Sequence, residues 1–116
     1  MILKVSLGLV VIAIAYLSLT PSDTLTIGND KISHFIAYGT LMFNSGLLTY
    51  NSKNKFIRAI FLCVLYGVLI EIAQHFVPGR FMSIYDIIAN VAGVVIGCIL
   101  TVLLNPIVSR LLGKRK

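Results

Sequence analysis

Four long apolar stretches, 3–19, 32–50, 56–76 and 84–104, account for most of the chain. Crossing about 30 Å of hydrocarbon takes about 20 residues of helix, and each stretch is of that order. Lipid offers backbone amides no hydrogen-bond partner, so segments of this kind must satisfy their own amides as helices. The expected fold is therefore all-α: an integral membrane four-helix bundle with short loops. Of 116 residues, 58% are hydrophobic and 12% are charged, against about 25% charged in an ordinary soluble domain. The connecting segments are too short to fold alone. Residues 1–116 thus read as a single transmembrane domain ending in a basic tail at 105–116, with no room for a nucleotide-binding fold or a soluble catalytic module.

The first stretch has one feature of a signal peptide, a single early cation (Lys4) ahead of an apolar run. That run, about 17 residues, exceeds the usual ~7–15, and no small-x-small cleavage site follows it, so it reads as a retained span. Orientation follows from the cations, which are kept on the cytoplasmic side of short loops. Lys4, Lys53, Lys55, Arg58, Arg110, Lys114, Arg115 and Lys116 fall on one side of a four-span arrangement, and Lys31 and Arg80 fall on the other. Both termini are expected in the cytoplasm (N-in/C-in). The acids Asp23, Asp30, Glu71 and Asp86 all belong to the outer half, so the net charge of +6 sums two compartments. The basic tail suits anionic headgroups, and no nucleic-acid recognition module accompanies it.

An ionisable side chain within a membrane segment is costly and reads as functional by default, with a partner to be named. Glu71 is the clearest case, about 8 Å inside the outer end of its helix at 1.5 Å per residue. Gly67, Glu71 and Gln74 share a face, and the small Gly67 admits a neighbouring backbone just below the carboxylate. On the second stretch His34, Tyr38 and Ser45 lie on one face with Leu41 between them, while Ser33, Thr40 and Asn44 form a second polar stripe about 100° round. Both stripes are expected to face the bundle. Asn44, Thr40 and Ser45 read as interhelical hydrogen-bonding groups. Asp30 is placed to cap the second helix, and Ser83 with Asp86 has capping-box spacing at the start of the fourth. Asn90 lies one turn deeper, where a cap has no use for it, at about the depth expected for Glu71.

Gly93 and Gly97 continue the Asp86–Asn90 stripe as a small-residue seam. Such a seam suits close packing on another helix, and it is also the surface through which a homo-oligomer would form. Asn105-Pro106 is expected to end the fourth helix, since proline lacks the amide proton and biases its predecessor to extended geometry. Cys63 and Cys98 lack CxxC spacing and read as small buried apolar residues.

Polar groups thus converge on the outer half from three segments: Asp30, Lys31 and His34; Glu71 and Gln74; Arg80, Asp86 and Asn90. The ordered set Ser18-Leu19-x-Pro21, Asp30-Lys31-x-x-His34-x-x-x-Tyr38, Glu71-x-x-Gln74 and Arg80-x-x-Ser83-x-x-Asp86-x-x-x-Asn90-x-x-Gly93 resembles the VanZ-like family of small bacterial membrane proteins. The resemblance covers most of the chain. That family takes its name from a teicoplanin-resistance protein, so the resemblance implies a cell-envelope setting and leaves the reaction open.

The function expected from these residues is binding, with or without modification, of an envelope lipid or a lipid-linked, glycopeptide-related ligand in the outer leaflet. Membrane lipids or such a precursor are the expected partners. Arg80 and Lys31 suit a phosphate or carboxylate, with Asp30, Tyr38, Gln74 and Asn90 completing the binding surface. Glu71, with His34 as partner and Asp86 as orienting group, suits acid–base work. No nucleophile stands beside a base, which disfavours covalent catalysis. No H-E-x-x-H or comparable spacing marks a metal site, and no cofactor is expected. A small transporter or proton relay through Glu71 and His34 is the first alternative. A non-catalytic membrane partner, held by internal ion pairs between Glu71 and Arg80 and between Lys31 and Asp86, is the second.

Overall fold

The computed structural model describes residues 2–19, 30–77 and 84–111, with Asp30 and Lys31 described as backbone only. Four helices follow one another: α1 (Ile2–Leu19), α2 (Asp30–Thr49), α3 (Lys53–Gln74) and α4 (Ile84–Leu111). α1, α3 and α4 are long and apolar enough to cross a membrane. α2 has the length, 20 residues, but carries more polar side chains. Its His34, Tyr38, Asn44 and Ser45 side chains are buried against the other helices.

Contacts along α1 establish its direction and tilt. Near its start, Ser6 Oγ donates to Asn44 Oδ1 and Asn44 Nδ2 donates to the Leu3 carbonyl on α2 and α1 respectively. Midway, Tyr66 Oη of α3 donates to the Val11 carbonyl at 2.7 Å. At its end, Gln74 Nε2 of α3 donates to the Ser18 carbonyl at 2.9 Å. α1 therefore runs antiparallel to α2, parallel to α3, and crosses from the first to the second. It touches α2 and α3 but, among the described residues, not α4. Ile14 is its only buried residue, so polar ties to backbone carbonyls hold α1 as much as apolar packing does.

This crossing corrects one expectation. Of the second polar stripe, only Asn44 is buried, whereas Ser33 and Thr40 are exposed on the bundle surface. All three share a helical face, but α1 covers that face only at the level of Asn44 before it moves over to α3. Ser45, buried as expected, uses its hydroxyl within α2, donating to the Leu41 carbonyl at 2.8 Å.

α2 and α4 run parallel and pack most intimately. A Cβ on Gly93 would collide with the Phe35 carbonyl oxygen, and one on Gly97 would lie 2.6 Å from the Gly39 carbonyl oxygen and 2.7 Å from Met42 Cβ. Two helices can approach this closely only where side chains are absent. Gly46 of α2 similarly receives Thr101, whose hydroxyl donates to the Gly97 carbonyl at 2.8 Å. The Gly93/Gly97 seam is thus filled by α2 of the same chain. Its assignment to a homo-oligomer is corrected accordingly, because the surface is already occupied.

Helix ends differ from expectation in two places. α3 begins at Lys53 rather than Phe56, because Ser52 is an extended N-cap whose side chain accepts from the Lys55 amide at 3.4 Å. Tyr50 packs edge-on to Phe56 at 5.8 Å and closes the three-residue connection. α4 does not stop at Asn105-Pro106; it continues through Pro106 to Leu111. Proline forfeits one intrahelical bond, and within a membrane helix neighbouring side chains and small backbone adjustments re-satisfy the freed carbonyl. Residues 105–111 therefore extend α4 instead of forming a separate surface tail. Residues 112–116, with the last three cations of that tail, lie outside the described residues.

Candidate functional site

At the end of the bundle where α3 finishes and α4 begins, three helices bring their polar side chains together. α2 supplies His34 and, one turn further along the same face, Tyr38. α3 supplies Glu71, and α4 supplies Asp86 and Asn90. All are enclosed: Glu71 is 0% exposed, Asn90 2%, Asp86 4% and His34 7%.

The contacts within this cluster are specific. His34 Nδ1 lies 2.8 Å from Asn90 Oδ1. His34 Nε2 lies 3.9 Å from Asp86 Oδ2, so the imidazole is aligned between a carboxamide and a carboxylate of the same helix. An Nδ1–H donated to Asn90 leaves Nε2, with its lone pair, turned toward Asp86; protonation of Nε2 would convert the contact into an ion pair. One donor atom each from His34, Glu71 and Asp86 falls within 4.8 Å of the others. The set thus offers one imidazole nitrogen and two carboxylate oxygens to a single cationic group such as a ligand cation or a guanidinium.

One glycine, Gly67, shapes the floor of the cluster. A Cβ on Gly67, one turn below Glu71, would lie 3.2 Å from Asn90 Nδ2 and 3.2 Å from Tyr38 Cε2. The expected close approach below the carboxylate is thus made by the side chains of Asn90 and Tyr38. Asn90 sits at the level of Gly67, one turn further in than Glu71. Tyr38 is buried against Tyr66 with ring centroids 6.2 Å apart. The Tyr38 hydroxyl and Asn90 Nδ2 have no hydrogen-bond partner among the described residues. Two buried donors left in this state are unusual, since such groups are nearly always satisfied.

The remaining expected site residues fall into three groups. Gln74 is buried, but its amide is committed to Ser18 of α1, so it closes the α1–α3 contact above Glu71. Lys31 and Asp30 begin α2 on the same end of the bundle, and their side chains lie outside the described residues. Arg80 and Ser83 lie outside them as well. His75 is exposed at the C-cap of α3, outside the cluster, with its ring edge-on to Phe76 at 5.3 Å. The last residues of α3 tighten into i→i+3 bonds, Phe76 to Ala73 and Val77 to Gln74, ending the helix two residues before the expected boundary.

Sequence reasoning grouped His34, Glu71 and Asp86 for acid–base work but found no local motif that joins them as a metal donor set. The structure gathers them from three helices, an arrangement that motif spacing along one helix does not reveal. Gly39 and Thr101 were also missed. Their signal was present: Gly39 and Gly46 are seven apart on α2, and Thr101 continues the Gly93/Gly97 stripe by four.

A family model described as VanZ/LLP1 matches residues 5–105 of the chain. No curated protein and no solved structure matches it.

Proposed function

From the premise that this chain belongs to the VanZ/LLP1 family of multi-pass membrane proteins, we propose that its buried polar cluster binds the head of an envelope lipid or lipid-linked precursor. The site opens toward the outer leaflet. The cations Lys53, Lys55, Arg58 and Arg110 lie at the opposite end of the helices, which supports N-in/C-in orientation by the positive-inside rule.

The observation that carries this reading is the company kept by Glu71. Glu71, a fully enclosed carboxylate in a membrane helix, has donor atoms of His34 and Asp86 within 4.8 Å, and Tyr38 and Asn90 meet one turn below it at Gly67. Structural ion pairs alone explain this poorly, because buried pairs add little net stability over apolar packing. Binding explains it better: Tyr38 and Asn90 hold donors without partners, the carboxylates accept from hydroxyls, and Lys31 with Arg80 take an anionic phosphate or carboxylate. Asp30 and Gln74 border the same end. If a bond is made or broken, His34 and Glu71 are the groups that move the proton.

Lipid mass spectrometry of purified wild type and Arg80→Ala tests this directly. The proposal expects wild type to carry an enriched polar lipid and Arg80→Ala to lose it while inserting normally. Identical lipid inventories would refute it. The spacing of His34, Glu71 and Asp86 also favours a second reading, a proton relay, under which Glu71→Gln removes a pH-driven flux in proteoliposomes.

A further inference from the structure

A second feature lies toward the other end of the bundle and differs from the polar cluster in every respect. α1, α2 and α3 enclose a groove of about 670 Å³, walled by Leu7 and Val11 of α1, Leu41 and Leu48 of α2, and Leu62 and Leu69 of α3. Its volume is within the ~300–1,000 Å³ range of small-ligand sites. The groove exists because α1 leans from α2 to α3 and is fastened by hydrogen bonds at three levels. Between those ties its apolar flank is not in full contact with the neighbouring helices.

The chemistry of the groove is asymmetric. Its wall hydroxyls are already satisfied, Ser45 Oγ by the Leu41 carbonyl at 2.8 Å and Thr49 Oγ1 by the Ser45 carbonyl at 2.9 Å. Along most of its length the groove therefore asks only for apolar contact. Its two cations, Lys55 and Arg58, line one end, three residues apart on the same face of α3. From Lys55 to Leu69, α3 rises about 21 Å at 1.5 Å per residue, comparable with the ~15 Å depth of one leaflet's hydrocarbon. An occupant that fits is long, apolar and anionic at one end.

We infer that the groove holds an acyl chain of an anionic phospholipid, with the phosphate bound between Lys55 and Arg58. Arg58 contacts phosphate oxygens through its guanidinium fork and Lys55 acts as a point charge. The chain fills the space between α1 and the α2–α3 pair and completes the seating of α1. The site is independent of the polar cluster, since Lys55 and Glu71 are about 24 Å apart along α3.

The test is native mass spectrometry of the full chain released from mixed micelles of phosphatidylglycerol and phosphatidylcholine. Wild type is expected to retain one phosphatidylglycerol per chain in preference to phosphatidylcholine. Lys55→Gln with Arg58→Gln, both at exposed positions, should reduce that retention about thirtyfold, the scale expected for two cations near a phosphate. Ala59→Phe, which places a ring in the groove wall, should displace the lipid regardless of headgroup. Lys53→Gln, a neighbouring cation outside the groove, should retain phosphatidylglycerol as wild type does. Equal retention of the two lipids, equal loss from Lys53→Gln, or a dimer whose second copy covers the groove in place of lipid would overturn the inference. The charge variants keep it falsifiable if Ala59→Phe does not fold.

Discussion

His34 Nδ1 and Asn90 Oδ1 meet at 2.8 Å across the interface of α2 and α4, and the glycine below sets that distance. Gly93 follows Asn90 by three residues, and its bare α-carbon lies against the Phe35 carbonyl, the residue after His34. Close backbone approach at Gly93 brings a short carboxamide within reach of an imidazole. Polar chemistry and helix packing are thus one arrangement, read at two successive turns.

Replacing Asn90 with Leu removes the imidazole's partner without opening a cavity. A buried polar group left unsatisfied costs about 1–3 kcal/mol, although transmembrane partners are worth less on average, about 0.6 kcal/mol. Thermal unfolding in detergent should show Asn90→Leu destabilised by about 1 kcal/mol and unable to retain the enriched lipid. Full retention of that lipid would separate Asn90 from the site.

The glycines should rank by what a new Cβ meets. Gly8 has nothing within 4 Å, Gly39 faces the Gly93 carbonyl oxygen at 3.4 Å, and Gly97 faces the Gly39 carbonyl oxygen at 2.6 Å. Gly8→Ala should be neutral or stabilising by about 0.5–1 kcal/mol through helix propensity. Gly39→Ala should be near neutral. Gly97→Ala must push α2 away and should cost about 1–3 kcal/mol. Melting temperatures that fail to follow this order would show that α2 and α4 are not packed as described.

Orientation is tested by thiol labelling. With Cys63 and Cys98 replaced by Ala, a single cysteine at Ser83 should react with a membrane-impermeant maleimide in intact cells, and one at Ser109 should react only after permeabilisation. The reverse pattern would place the polar cluster toward the cytosol and end the envelope-ligand reading.

Periodicity and composition carried much of this fold. The face formed by His34, Tyr38, Leu41 and Ser45 was legible because a helical repeat decides which side chains share a direction. What the repeat does not decide is which neighbour covers that direction at each depth. Ser33, Thr40 and Asn44 share a face, yet α1 reaches only Asn44, so two of the three stay exposed. Pro106 misled for a related reason: its local cost is real, but Thr101 and Asn105 are buried on the same face as Gly93 and Gly97, and packing carries the helix onward. The grouping of His34, Glu71 and Asp86 was legible only as shared depth. Their mutual proximity depends on the α2–α4 seam, where the partner glycine, Gly39, belongs to another helix.

The central claim, that Glu71 is enclosed in order to serve a ligand, is tested most directly by one comparison. Lipids bound to wild type and to Glu71→Gln are weighed by mass spectrometry after purification in the same detergent, with melting temperature measured on the same samples. The account predicts that Glu71→Gln, nearly isosteric, inserts and melts within a few degrees of wild type but loses the enriched lipid. Unchanged lipid together with a large fall in melting temperature would contradict it and make the cluster a structural device.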